Sequence, residues 1–233
     1  MRYIGSKRNI IRHILPIMTK ERKPGQYWVE PFVGGGNAIS EVTGHRLGSD
    51  ININTIRALV DIRDNVHLLP KNNSEFTEAD YRKLRVSDDY PFKSYAGYSF
   101  SFGSKWLGGW ARAADKRDYV KGSYNGALRQ SIKLQGVRLV NCPYDELVIP
   151  DESIIYCDPP YKGTTGYGIK FDHDKFWDWC RLKHREYHTV FVSELDAPSD
   201  FSCIWSREIN TNMYKINGKY SERRIEKLFK YAG

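Results

Sequence analysis

The tetrapeptide Asp158-Pro159-Pro160-Tyr161 follows the apolar run Ile154-Ile155-Tyr156-Cys157. The pattern sets a carboxylate, a stiff double-proline turn and an aromatic ring at the carboxyl end of a buried strand, where an open α/β sheet presents reacting groups. That combination suits one chemical problem. The exocyclic amine of a nucleobase is a poor nucleophile because its lone pair is delocalised into the ring. Asp158 and the Pro159 carbonyl can accept hydrogen bonds from such an amine and favour a pyramidal nitrogen. Pro160 stiffens the turn, and Tyr161 stacks on a base drawn out of its duplex. The electrophile this arrangement serves is a methyl sulfonium, and no metal is required. A chance turn of the same four residues would mean little; its place after a buried strand and downstream of two further strand-end motifs favours catalysis.

Those two motifs lie early in the chain. In Val29-Glu30-Pro31-Phe32-Val33-Gly34-Gly35-Gly36-Asn37 the glycines separate a strand from a helix, and missing side chains let backbone amides approach a nucleotide-like cofactor. The spacing satisfies neither GxGxxG nor the P-loop pattern, so the triplet alone also reads as a tight turn. Asp50 ends the next strand, where a carboxylate accepts hydrogen bonds from both ribose hydroxyls; taken alone it reads equally well as a helix cap. The two motifs on consecutive strands favour the ribose role.

The elements that must hold these groups alternate. Ile10, Ile11, Ile14, Leu15 and Met18 predict a helix kinked at Pro16. A strand over Tyr27 to Glu30 follows, then a turn at Pro31 to Gly36, a helix over Asn37 to Thr43, a strand over His45 to Ser49, and a helix from Asn52 to Leu69. Strands are expected again at Val137 to Val140, Ser153 to Cys157, His188 to Ser193, Cys203 to Ile209 and Ile225 to Tyr231, with a helix over Asp172 to Arg185. Between them the alternation stops, and only a helix at Tyr124 to Gln135 stands out. The expected fold is α/β: a Rossmann-like core over 1–70 and 137–233, interrupted by a mostly helical subdomain over 71–136.

The net charge of +8 favours a polyanionic partner. Arg2, Lys7, Arg8, Arg12, Lys20, Arg22 and Lys23 crowd the first residues with only Glu21 nearby. The stretch Lys105 to Arg138 interleaves cations with Trp106, Trp110, Tyr119 and Tyr124, a mixture suited to phosphates and bases. Arg8, Lys105, Trp106, Arg112, Lys116 and Arg117 are the candidate DNA contacts; surface charge around an ordinary aromatic core is the plainer reading of the same stretch. The cysteines at 142, 157, 180 and 203 lack CxxC spacing, which predicts neither disulfide nor zinc. No apolar run is long enough to cross a bilayer and no signal-peptide pattern opens the chain, so a soluble, cytoplasmic protein is expected.

With these blocks in order, the chain resembles the Dam-type (D12 class, alpha motif order) DNA adenine-N6 methyltransferases. Tyr3-Ile4-Gly5-Ser6-Lys7 is similar to the family's amino-terminal cofactor motif, Glu30 to Asn37 to its glycine motif, Asp50 to its ribose-binding acid and Asp158 to Tyr161 to its catalytic tetrapeptide. Val192 to Asp196 and Glu222 to Leu228 match further blocks. The resemblance implies S-adenosylmethionine as methyl donor, double-stranded DNA as partner, and base flipping, with the inserted segment as the target-recognition region. By residue, it implies that Tyr3 and Lys7 touch the cofactor, that Glu30, Phe32, Gly34, Gly35, Gly36 and Asn37 wrap it, and that Asp50 holds its ribose. The same resemblance implies that Asp145 lies near its adenine and that Asp158 faces both methionine and the target. It further implies an EC 2.1.1.72 type activity, GATC as the first site to test, and a monomer acting alone or beside a separately encoded restriction nuclease. Two departures stand out: Tyr3 replaces a common indole, and Gly5-Ser6 replaces a glycine pair. Methylation of another planar amine (RNA adenine, cytosine N4 or a glutamine side chain) meets the same geometric need, and a catalytically dead DNA-binding module is the rival of a different class.

Overall fold

The computed structural model describes residues 1–87, 89–112, 117–161, 171–210 and 223–232. In chain order its elements are α1 (Ile11–Thr19), β1 (Trp28–Glu30), β2 (Arg46–Asp50), α2 (Ile53–Asp64), α3 (Glu78–Leu84), α4 (Lys93–Ser99), α5 (Tyr119–Leu134), β3 (Val137–Asn141), β4 (Ile154–Cys157), α6 (His173–Arg185), β5 (Thr189–Glu194), β6 (Phe201–Asn210) and β7 (Arg223–Tyr231). Two compact units emerge: Met1–His13 with Pro31–Leu147, and Ile14–Glu30 with Val148–Gly233.

The second unit carries five strands in the order β1-β4-β5-β7-β6. β1, β4 and β5 run parallel, with Val29 opposite Ile155 and Cys157 opposite Val192. β7 returns antiparallel to β5, and β6 antiparallel to β7. All four residues of β4 are buried, which is why it reads as an unbroken apolar run rather than an alternating one. α6 links two parallel strands and starts on the Asp172 cap, whose side chain accepts from the Lys175 amide. It ends in Lys183, His184 and Arg185, which complement the helix dipole. Its inner face is Phe176, Trp177, Trp179 and Cys180, all buried.

In the first unit β2 and β3 pair in parallel, with Asp50 opposite Asn141. α2 starts on the Asn52 cap and buries Thr55, Ile56, Ala58, Leu59 and Ile62. Among the described residues, the 71–136 segment carries α3, α4 and α5, joined by loops. α3 is set by a capping box between Thr77 and Asp80, and α5 by the Asp118 cap. A bridge between Ser101 and Trp110 ties together the loop that follows α4. Parallel strands linked through helices, ending in an antiparallel pair, make this the expected α/β, Rossmann-like class with a helical insertion.

Three expected elements differ. The helix over Asn37 to Thr43 is one 3-10 turn, Ile39–Glu41. β-branched Val42 turns extended there, and Ser40 Oγ donates to the Gly36 carbonyl, leaving nothing to propagate an α-helix. α2 stops at Asp64, and Val66–Leu68 forms a separate 3-10 turn. α5 begins five residues before the expected Tyr124, because the Asp118 cap and buried Val120 outweigh the low helix propensity of Gly122 and Gly126. α3 and α4 give no clear period in the sequence because each is only seven residues.

Candidate active site

The glycine turn and Asp50 meet within the first unit. The Gly34 amide donates to Asp50 Oδ2 at 3.1 Å and the Asn52 amide to Oδ1 at 2.9 Å, while the Val33 amide donates to the Ser49 carbonyl at 2.8 Å. Burial pushes the Asp50 carboxyl up to about 6, against the lowering effect of those two amide bonds. Each oxygen takes one backbone donor and has a second lone pair, so the half-buried carboxylate can still accept from a vicinal diol. Asn52 thus both caps α2 and steadies Asp50, so the helix-cap reading attaches to the neighbouring residue.

Gly34 and Gly36 hold φ of +47° and +66°. A Cβ at Gly35 would lie 2.7 Å from Tyr3 Cβ and from Asn37 Nδ2, and one at Gly34 would lie 3.0 Å from Tyr3 Cε1. The missing side chains therefore let Tyr3 pack on the turn. Asn37 Nδ2 donates to the Met1 carbonyl at 3.1 Å. Lys7 is buried, its ammonium 3.4 Å from the Gly5 carbonyl. Phe32, half-buried, stacks on Tyr144 with centroids 5.3 Å apart, and the adjoining Asp145 is exposed. A half-buried acid, a tight backbone turn and two aromatic rings have the chemistry to hold the ribose and purine of an adenosine-type cofactor.

The second unit gathers acids at the carboxyl ends of its parallel strands. Glu30 ends β1, Asp158 follows β4 and Glu194 ends β5. Glu30 is buried and accepts a 2.7 Å bond from Trp28 Nε1. Burial pushes its carboxyl up to about 8 despite that bond, and the Asp158 charge adds to the rise. Asp158 is half-buried, Pro159 buried and Pro160 half-buried. Tyr161 is buried, and its hydroxyl donates to Glu226 at 2.7 Å; burial and the Asp158 charge hold that phenol well above its usual range. Tyr156 shares a 2.8 Å hydrogen bond with Ser193, tying β4 to β5 below the tetrapeptide.

Of the expected DNA contacts, Arg8, Lys105 and Arg117 are exposed and Trp106 is half-buried against Tyr98. Arg112 is exposed and bonds Glu78 at 2.6 Å, as Arg82 does at 2.9 Å. Lys116 lies outside the described residues. Beside this ion pair is a groove of about 480 Å³, lined by Arg82, Arg85, Phe102, Trp110 and Arg112. Among the described residues, no group of three or more His, Cys, Asp or Glu is placed to hold a metal, and no helix is long and apolar enough to cross a membrane.

Glu226, Tyr98 and Asn52 take roles at the site that the sequence did not assign them. Glu226 carried a signal: it alternates with Leu228 on the buried face of β7, a charged residue at an inward position. Tyr98 and Asn52 carried none, because their roles depend on partners 43 to 46 residues apart in the chain.

No curated protein matches the chain. Among solved structures, the Escherichia coli protein yhhF, a methyltransferase by assignment, aligns over 98% of this chain and 88% of its own at 11% identity and a TM-score of 0.42. SMU.472, likewise a methyltransferase by assignment and solved with SAH, aligns over 98% of this chain and 53% of its own at 11% identity and a TM-score of 0.39. Neither likeness is near enough to carry an argument. The amino-terminal part has a direct match, which takes in the Tyr3 to Lys7 block, the glycine turn and Asp50: residues 3–93 fit the family model of D12 class N6 adenine-specific DNA methyltransferases.

Proposed function

We propose that the protein transfers a methyl group from S-adenosylmethionine to the exocyclic N6 of adenine in double-stranded DNA. The family match carries the coarser statement, S-adenosylmethionine-dependent methyl transfer to an adenine-like DNA substrate. The finer reading rests above all on Asp158, a half-buried carboxylate that follows the carboxyl end of a fully buried parallel strand and precedes two prolines.

When bound, S-adenosylmethionine supplies an electrophilic methyl carbon. Asp50 would hold the ribose diol, with Tyr3 and the Gly34 to Gly36 turn flanking it and Phe32 beside the purine. Asp158 and the Pro159 carbonyl accept the two amino hydrogens of the target, which directs the nitrogen lone pair away from the base plane. Glu30, kept protonated by burial, adds no second negative charge beside Asp158. Tyr161, fixed through Glu226, forms an aromatic wall for the flipped base. The 71–136 insert, with Lys105, Trp106, Arg112 and Arg117 on or near its surface and the arginine-lined groove beside Glu78, is the region assigned to DNA. GATC is the first sequence to test.

The deciding experiment incubates the protein with labelled S-adenosylmethionine and unmethylated duplex DNA, then identifies the labelled nucleoside by mass spectrometry. N6-methyladenine is expected, with none from Asp158→Ala. Label in N4-methylcytosine or in RNA alone would move the substrate; cofactor binding without transfer to any of them would leave a non-catalytic DNA-binding module.

A further inference from the structure

Tyr98 of α4 sits where the cofactor-side residues and the Trp106 loop meet, within one compact unit. Its hydroxyl accepts from Asn52 Nδ2 at 3.0 Å and pairs with Thr55 Oγ1 at 3.2 Å. Asn52 is the residue whose backbone amide holds Asp50 Oδ1, and its Oδ1 caps α2 through the Asn54 amide. The Tyr98 ring lies between two others, 5.3 Å from Tyr3 and 5.0 Å from Trp106. Gly97 makes the second contact possible: a Cβ there would come within 2.5 Å of the Trp106 ring, and the Gly97 carbonyl accepts from the Leu107 amide at 3.0 Å. The loop that carries Lys105 and Trp106 is thus docked on the ring of Tyr98, whose hydroxyl bonds Asn52, the residue whose amide holds Asp50.

We infer that Tyr98 is a positioning residue that couples cofactor binding to DNA binding. This rests on the functional reading above, which gives Tyr3 and Asp50 to the cofactor and the Trp106 loop to DNA. A ligand held by Tyr3 and Asp50 fixes the Tyr98 ring and hydroxyl, so the surface under Trp106 is already ordered when DNA arrives. DNA held by the loop fixes Trp106 on the same ring, and the cofactor then meets an ordered Asn52 and Asp50. Each ligand lowers the ordering cost of the other, and linkage makes the two effects equal. A purely structural Tyr98 would weaken both bindings when altered without changing their ratio.

The test measures the affinity of S-adenosylhomocysteine, which cannot react, with and without a saturating adenine-containing duplex. The parental protein should bind it on the order of fivefold tighter or more with duplex present, the low end of ordinary coupling. Tyr98→Phe keeps the ring stack and removes the hydroxyl. Gly97→Ala keeps the hydroxyl and pushes Trp106 off the ring. Both should lower the coupling ratio several-fold, and Gly97→Ala should leave affinity without DNA at the parental value. Thermal unfolding checks that both variants fold. A parental ratio of one, or a parental ratio retained in both folded variants, overturns the inference while adenine methylation stands. A parental protein that binds no cofactor and methylates no adenine overturns the functional reading and the coupling with it.

Discussion

Replacing Glu30 with Gln should abolish a specific loss of stability at rising pH. Glu30 is buried at the end of β1, where its Oε1 accepts from Trp28 Nε1. Burial pushes its carboxyl from 4.5 up to about 8, the Trp28 bond opposes the shift, and the Asp158 charge reinforces it. A carboxyl raised in the folded state keeps its proton there while the unfolded chain ionises above 4.5. Its stabilising effect is therefore complete below pH 4.5 and is lost as pH climbs to about 8. Each pH unit inside that window costs about 1.4 kcal/mol, so the loss between about pH 5.5 and about pH 7.5 is about 2.5 kcal/mol. Gln keeps an acceptor for Trp28 and has no proton to lose. Asp50 and the other titrating groups that do not touch the Glu30 charge are common to both proteins and cancel in the difference. Urea unfolding followed by tryptophan fluorescence across this range should show the variant gaining about 2.5 kcal/mol on the parent between the two ends. Asp158→Asn should shrink the pH effect only modestly, because burial is the larger cause. A parent-variant difference that stays flat with pH would refute a neutral Glu30, and with it the account of why Asp158 tolerates a second carboxyl beside it.

Asp50→Ala should weaken S-adenosylmethionine binding by about 1.5–3 kcal/mol, the range for a hydrogen bond to a charged acceptor; calorimetry on a folded variant showing unchanged affinity would remove Asp50 from the cofactor site. Because burial raises Asp50 to about 6, the parental affinity should fall as pH drops through that value and the carboxylate is protonated, a fall that Asp50→Asn should not show. Tyr161→Phe takes away the hydroxyl that Glu226 accepts in the core and should cost about 1–3 kcal/mol in thermal or urea unfolding; a cost near zero would mean that Glu226 does not fix the ring. Lys105→Ala and Arg117→Ala should each flatten the log-log salt dependence of DNA affinity by about 0.9 without changing the methylated sequence. If both keep the parental slope and site preference, the 71–136 segment is structural, and DNA contact belongs to the basic residues around Arg8.

The sequence by itself determined what local chemistry determines. The unbroken apolar run before Asp158, the double proline and the glycine triplet between a strand and Asp50 are patterns of neighbours, so the strands and their end residues were legible without partners. The order of those blocks was enough to identify a family resemblance, which the family-model match over residues 3–93 bears out for the amino-terminal blocks. Tertiary structure decided whatever depends on a partner far along the chain. Seven-residue helices such as α3 and α4 are stabilised by packing rather than by propensity, so no periodic signal announced them. Tyr98 is one aromatic among many until Asn52 and Thr55 come within hydrogen-bonding distance of its hydroxyl. Glu226 becomes the partner of Tyr161 only when β7 enters the sheet. Glu30 keeps its proton only because folding removes water from it, a desolvation that depends on the whole surrounding core and that no residue type carries alone.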